Sequence, residues 1–167
     1  MNSSSLRTLA FSPLPVPNDW HAIPLRLIVG YGFFAHGYAK LARGPDHFAG
    51  ILHAMGLPHA DLLSWGTVLV EVLGGLMIIL GALVPVVALP MVVVLLVAMF
   101  TVHLPNGFSS IKLLSIDAKG AHFGQAGFQT VLLYIAGLLS LAIAGAGPFS
   151  VDRHFLQRWR KRTAVPS

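Results

Sequence analysis

The chain has 167 residues, a length that suits a single domain. Hydrophobic residues make up 55% of it and charged residues only 10%, whereas a soluble domain carries about 25% charged residues. This composition excludes a disordered chain, a coiled coil and a nucleic-acid-binding module, and favours a membrane protein whose surface faces lipid. The absence of cysteine excludes disulfides, Fe–S clusters and c-type haem attachment, and the net charge of +5 is a small basic excess.

The N-terminal residues 1–21 are rich in serine and proline and are predicted to form a flexible tail. They lack the basic start, apolar core and small-residue cleavage site of a signal peptide. The first membrane span is predicted over residues 23–41, because a transmembrane helix needs about 20 mostly apolar residues. Pro24 suits its first turn, where the missing N–H would have no partner within the helix.

The second and third spans are fused in the sequence. Before His103, the stretch of residues 62–104 contains a single charged side chain, Glu71, and it is too long for one span. Pro85 cannot lie in a helix interior, so the break is predicted at residues 81–85 with a very short turn. Pro90 then falls early in the third span, where it costs little or adds a kink.

The fourth span is predicted over residues 126–146, and the glycines and proline of residues 145–148 end it. Residues 149–162 are predicted to form a short amphipathic helix, capped by Ser150 or Asp152, within a basic interfacial tail of residues 149–167. The predicted fold is therefore all-α: a membrane-embedded four-helix bundle over residues 22–148 with a short C-terminal amphipathic helix. A soluble bundle is disfavoured because the third and fourth spans lack polar stripes.

Four spans place both termini on one side of the membrane. Basic residues are more numerous on that side than on the other, and most of them lie in the C-terminal tail. The positive-inside rule therefore predicts that both termini are cytoplasmic. The basic residues on the predicted cytoplasmic side are Arg7, Arg153, Arg158, Arg160, Lys161 and Arg162.

Ionisable side chains inside the bilayer indicate where function lies. Glu71 is predicted to lie about 12 Å below the outer surface, at about 1.5 Å of rise per residue. His36 and Lys40 lie near the outer end of the first span, His103 ends the third and Gln129 begins the fourth. All five side chains therefore fall in the outer half of the bilayer, so the sequence predicts one polar cluster there.

Each member of the cluster also has a purely structural interpretation. Glu71 could form an interhelical ion pair, and Lys40 could extend to the outer head groups. His103 could end its helix, Gln129 could bond to a neighbouring helix, and His36 could be a packing residue. Arg26 is interpreted as an interfacial anchor near the inner surface, although its spacing along the span also allows it to face the bundle.

Cofactor sites are weakly supported by these residues. A haem between His36 and His103 is disfavoured, because no paired set of histidines recurs. His36, His103 and Glu71 are suitable metal-ligand types, but their spacing is not diagnostic and no metal is predicted. The loops of residues 48–63 and 105–125 carry apolar side chains and could fold back as lids over the cluster. Such a lid would suit a lipid-soluble ligand such as a quinone, or equally a docked partner.

Several segments, in order, resemble the DoxX family of small bacterial membrane proteins. The resemblance covers roughly residues 25–152. It rests on Arg26 with residues 33–41, Met55-Gly56-Leu57-Pro58, Glu71-Val72-Leu73-Gly74-Gly75, His103 with Asn106-Gly107-Phe108, and residues 145–152. Many members carry Gly-x-Glu where this chain has Gly127-Phe128-Gln129, and a neutral amide cannot act as a general base.

The resemblance implies a multi-pass protein of the bacterial inner membrane that is linked to quinone or oxidative-stress systems. On that hypothesis Glu71 and His36 donate protons to a quinone, and Lys40, His103, Gln129 and Arg26 help to bind it. The implied partners are the lipid bilayer, a redox protein and a second copy of the chain. Whether the chain is itself an enzyme stays open. The alternatives are a non-catalytic scaffold that docks a partner protein and, less favoured, a small transporter.

Overall fold

A computed structural model describes residues 19–163 of the chain, with side chains up to Arg158. Most of the predicted flexible tail, residues 1–18, lies outside the described residues, as do the last four residues. The described part is mostly helical. Its helices are α1 (Ala22–Arg43), α2 (Pro45–Ala54), α3 (Ala60–Leu80), α4 (Val84–Ala98), α5 (Gln129–Ala144) and α6 (Val151–Thr163), and its strands are β1 (Leu113–Asp117) and β2 (Gly120–Phe123).

Helix α1 contains the first predicted span and extends it by one or two residues at each end. Pro24 lies in its first turn, as expected. The helix ends at Gly44, whose φ of 92° is a conformation that glycine adopts without the penalty a side chain would bring. Pro45 then begins α2, a short helix that packs against α3.

The break between the second and third spans falls within the predicted segment. Helix α3 ends at Gly81, which has a φ of 65°, and the N–H of Ala82 donates to the carbonyl of Met77 over 2.9 Å. Helix α4 begins three residues later with Pro85 in its first turn. The carboxylate of Asp152 accepts from the N–H groups of Leu83 at 2.7 Å and Val84 at 3.1 Å, so the C-terminal tail caps this helix.

The C-terminal part of the third predicted span departs from regular α geometry. Pro90 lies inside α4, where it cannot donate a helical hydrogen bond. After Ala98 the chain continues through a π-helical turn over Met99–His103 and a 3-10 turn over Leu104–Asn106. The π turn changes the direction in which the following side chains point, and His103 lies at its end.

Strands β1 and β2 form an antiparallel hairpin in the loop between α4 and α5. The expectation of an all-α chain is therefore incomplete, and the hairpin turn falls between Asp117 and Gly120. Asp117 accepts from the backbone N–H of Lys119 at 2.7 Å and contacts the His122 ring at 2.9 Å. These hydrogen bonds hold the pKa of Asp117 below its usual value, since they favour the charged carboxylate.

Helix α5 is 16 residues long and α6 is 13. The hydroxyl of Ser150 accepts from the N–H of Arg153 at 3.3 Å, so Ser150 is the predicted cap that α6 uses, whereas Asp152 caps α4. The amphipathic character predicted for residues 149–162 involves side chains that lie partly outside the described ones, which end at Arg158.

Four helices, α1, α3, α4 and α5, pack side by side, so the helical part of the protein has two opposite ends. We call the end near Asp19, Gly81 and Ser150 the tail end, and the opposite end, which carries α2 and the hairpin, the hairpin end. Arg153 forms an ion pair with Asp19 at the tail end. The fully buried core side chains include Ile78, Met91, Leu138 and Leu141.

Two helices in the described part of the chain, Ala60–Leu80 and Val84–Asn106, are long and apolar enough to cross a membrane. Only 33% and 17% of their most apolar windows are buried inside the protein. Large apolar side chains such as Leu69, Leu73 and Leu89 instead face outward, with more than half of their surface exposed. A soluble protein rarely exposes so large an apolar area, so lipid covers these helices.

Candidate functional site

Glycines bring α1 and α3 into close contact. A Cβ atom on Gly75 would lie 2.6 Å from the backbone nitrogen of Phe34 and 2.7 Å from the carbonyl oxygen of Gly30. A Cβ atom on Gly37 would lie 2.8 Å from the Cβ atom of Glu71. The two backbones therefore approach more closely than any side chain at Gly37 or Gly75 would allow, and Glu71 is held against α1.

Glu71 forms an ion pair with Lys40 of α1. Both carboxylate oxygens accept hydrogen bonds from the Lys40 ammonium group. The Glu71 side chain is 7% exposed and the Lys40 side chain 24%, so the carboxylate is the more deeply buried partner. The ammonium group also lies 4.9 Å from the ring centroid of Phe48 in α2, within range of a cation–π contact. The pair thus joins α1, α2 and α3 at the hairpin end.

A cavity of about 330 Å³ lies beside the ion pair, between α1, α4 and α5. Four of the predicted site residues line it together: His36, Lys40, Glu71 and His103. The remaining lining residues are mostly apolar, so few polar groups converge in an apolar volume, as in many small-molecule sites. They are Phe33, Val94, Leu95, Ala98, Ala126, Gly127, Thr130, Val131 and Tyr134. We call this volume the polar cavity.

His103 is fixed in one orientation at the wall of the polar cavity. Its Nδ1 atom lies 3.0 Å from the carbonyl oxygen of Ala126. Because a carbonyl oxygen only accepts hydrogen bonds, Nδ1 carries the hydrogen. In the neutral ring Nε2 is then an acceptor, so His103 can receive a hydrogen bond or a proton from a ligand.

Two polar residues of the cavity wall, Thr130 and Tyr134, were missed in the sequence analysis. They lie one turn apart on the same face of α5, which is a mostly apolar helix, and that spacing is the signal that could have identified them. The Tyr134 ring packs edge-on against Phe33 at 5.8 Å between centroids. Gly32, which has no side chain, leaves the space that the Tyr134 hydroxyl occupies.

Gln129 and Arg26 do not line the polar cavity. The Gln129 side chain accepts a hydrogen bond from the backbone N–H of Ser110 at 3.3 Å. This bond holds the segment between the 3-10 turn and β1 against the start of α5. Arg26 is buried at the tail end, about 21 Å from Lys40 along α1. It donates to the carbonyl oxygen of Ala146 at 2.8 Å, and its Nε atom has no hydrogen-bond partner within residues 19–163.

Of the two loops that were expected to act as lids, one covers the ion pair, and the strands of the other do not line the polar cavity. No residue of β1 or β2 lines the polar cavity, and every residue of the two strands is exposed. The first loop instead forms α2, which covers the ion pair through Phe48. Toward the hairpin end from the pair lies a cleft of about 240 Å³, the basic cleft, whose lining includes His36, Lys40, Arg43 and His47.

Within the described residues, no three histidine or carboxylate side chains lie close enough together to hold a metal ion. His36, His103 and Glu71 share the polar cavity without forming such a group. The four polar side chains of the cavity offer hydrogen-bond donors, hydrogen-bond acceptors and proton carriers. Lys40 supplies a cation, Glu71 a carboxylate, and the two histidines neutral or protonated rings.

Comparison with known proteins is consistent with the membrane character of the fold. The DoxX family profile matches residues 21–104, which include α1 to α4 and the ion pair. An uncharacterized membrane protein of Mycobacterium tuberculosis is 28% identical over 141 residues, which cover 81% of this chain and 82% of that protein. No solved structure matches the chain. The chain is a membrane protein that belongs to the DoxX family.

Proposed function

We propose that the chain crosses a bacterial inner membrane four times, through α1, α3, α4 and α5, with both termini in the cytoplasm. The ion pair between Asp19 and Arg153 and the bond from Arg26 to Ala146 support this topology, because they join the start of α1 to the segments that follow α5. The basic residues of the tail favour the cytoplasmic side for that end. Helix α6 then lies on the inner membrane surface.

Single cysteines test this topology, because the natural chain contains none. Ser115→Cys in β1 is expected to react with a membrane-impermeant maleimide in intact cells. Ser167→Cys, at the C-terminal residue, is expected to react only after the cells are permeabilised. The cysteine-free parent is the control for background labelling, and reaction of Ser167→Cys in intact cells would contradict the proposed orientation.

We further propose that the polar cavity binds the head group of a membrane quinone, and that the chain is a membrane subunit of a quinone-linked redox system. The observation that carries this proposal is the Lys40–Glu71 pair at the wall of a mostly apolar cavity that also contains two histidines. Quinone oxygens accept hydrogen bonds, which Lys40, His36 and Tyr134 can donate. The apolar wall formed by Phe33, Val94 and their neighbours suits the ring.

The reduction of a quinone to a quinol consumes two electrons and two protons. In this proposal a partner redox protein supplies the two electrons and water supplies the two protons, which the Glu71 carboxylate and His36 take up and pass on to the quinone oxygens. His36 lines both the polar cavity and the basic cleft, so it can take up protons from water in that cleft. The Lys40 ammonium group stabilises the negative charge that develops on the nearer oxygen.

The affinity for a quinone tests the proposal directly. We expect the purified protein, in mild detergent, to bind a quinone with a short tail, and His36→Leu to raise the dissociation constant by about three- to tenfold. That range corresponds to one lost hydrogen bond of about 0.5–1.5 kcal/mol. His53→Leu, at an exposed position of α2 outside the cavity, is the matched control and should bind normally. Equal affinities of His36→Leu and His53→Leu would contradict the proposal.

A second function, that of a scaffold for a partner protein, is favoured by the hairpin. Leu114 and Ile116 of β1 are 70% and 72% exposed and form an apolar surface on the hairpin. Such an apolar face suits a protein contact at the membrane surface. The two functions are separated by the quinone titration, since a pure scaffold binds no quinone even with its natural sequence.

A further inference from the structure

A second and larger volume lies on the other side of the ion pair. It is an apolar groove of about 660 Å³ between α3 and α4, covered at the hairpin end by α2. Its walls are made largely of aliphatic side chains, and the charged residues among them are Lys40 and Glu71. The residues that matter here are Phe48 from α2, Leu62, Gly66 and Val70 from α3, and Val93 and Val97 from α4. We call it the apolar groove.

The apolar groove and the polar cavity meet at the ion pair. Lys40, Glu71, Val94 and Ala98 line both volumes. A ligand that reaches from one volume into the other therefore passes along the Lys40–Glu71 pair. Because the two volumes share these residues, together they suit a molecule whose polar head and long apolar tail are joined near the ion pair.

Resting on the proposed function, we infer that the apolar groove holds the isoprenoid tail of the quinone, so that the chain selects long-tailed membrane quinones over tailless ones. The tail enters from the lipid, since Leu62 and Val93 at the groove rim are 73% and 59% exposed. Both volumes fall within about 300–1,000 Å³, the range of sites that enclose most of a small ligand.

The tail gains little from the hydrophobic effect when it moves from lipid to the groove, because both surroundings are apolar. Selection therefore depends on shape and on the connection to the head group in the polar cavity. A bilayer acyl chain in the same groove would lack that connection. Blocking the groove should then weaken the binding of a tailed quinone and leave a tailless quinone unaffected.

Gly66 offers a clean way to block the groove. A Cβ atom added at this position of α3 would meet nothing within 4 Å, so a larger side chain can extend into the groove without moving the backbone. Gly50 of α2 is the matched control, because an added Cβ atom also meets nothing within 4 Å there and the residue does not line the groove. Both glycines lie within helices, so replacing either one with phenylalanine changes the local helix propensity in the same way.

The experiment compares a tailless ubiquinone with a long-tailed ubiquinone at constant detergent concentration. Gly66→Phe is expected to weaken binding of the long-tailed quinone at least tenfold and to change that of the tailless quinone less than twofold. Gly50→Phe should change neither. If Gly66→Phe loses binding of both quinones, a second variant, Val97→Phe, blocks the groove from α4. The inference then requires Val97→Phe to weaken binding of the long-tailed quinone and to leave binding of the tailless quinone unchanged.

Equal binding of the long-tailed quinone by Gly66→Phe and Gly50→Phe would overturn the tail site while leaving the head-group site intact. Failure of the natural chain to bind either quinone is a different result. It would overturn the proposed function itself and, with it, the inference that depends on that function.

Discussion

Replacing Glu71 with glutamine is expected to lower the free energy of unfolding by about 2–3 kcal/mol and to abolish measurable quinone binding. Removing one partner of a buried ion pair leaves the other charge without compensation, at a cost of about 3–5 kcal/mol for a fully buried pair. The partial exposure of Lys40 reduces that cost, because water reaches its ammonium group. Thermal and denaturant unfolding in mild detergent, together with quinone titration, measure the two effects.

The double variant Lys40→Met, Glu71→Gln separates stability from function. It removes both charges and keeps side chains of similar length, so it should recover most of the stability that Glu71→Gln loses. It should nevertheless bind no quinone, because the cation and the carboxylate of the site are gone. A double variant that regains both stability and quinone binding would show that the ion pair only positions α1 against α3.

Gly75→Leu is expected to have the larger effect on the fold and to prevent the native packing of α1 against α3. The added Cβ atom alone would lie 2.6 Å from the Phe34 nitrogen, and backbone atoms cannot move aside as a flexible side chain can. The two helices must separate, which also moves Glu71 away from Lys40. The expected result is a large fall in the midpoint of thermal unfolding, or no folded protein at all after purification.

The matched control for Gly75→Leu is Gly66→Ala in the same helix. An added Cβ atom meets nothing within 4 Å at Gly66, and alanine favours a helix over glycine by about 0.5–1 kcal/mol. This variant should therefore be as stable as the natural chain or more so. Equal stabilities of Gly75→Leu and Gly66→Ala would contradict the close approach of α1 and α3.

The helix boundaries near prolines and glycines were predictable from the sequence. Pro85 required a break, and Gly81 supplied the left-handed residue that ends α3. Glu71 and Lys40 could be placed at one depth because helical rise converts residue counts into distances. Their direct contact was one of several interpretations, since sequence spacing alone does not fix how two helices are rotated about their axes.

Contacts between segments far apart in the chain were not predictable. Ser150 and Asp152 were the two candidates for the cap of α6, and Ser150 caps it, whereas Asp152 caps α4 because the reversal at the tail end brings its carboxylate to Leu83 and Val84. The hairpin was missed because its strands are only five and four residues long, are interrupted by an irregularity between Leu113 and Ser115, and bury neither face. The bond from Arg26 to the Ala146 carbonyl was likewise not predictable, because it depends on where the chain runs after α5.

The most direct test of the account is photo-crosslinking of the purified natural chain with an azidoquinone, followed by mass spectrometry of its peptides. The account predicts labelling of the polar-cavity walls, within residues 94–103 and 126–134, and loss of that labelling in the presence of excess unmodified quinone. Labelling confined to the tail end, around residues 146–157, or labelling that excess quinone does not reduce, would contradict the central claim that the polar cavity is a quinone site.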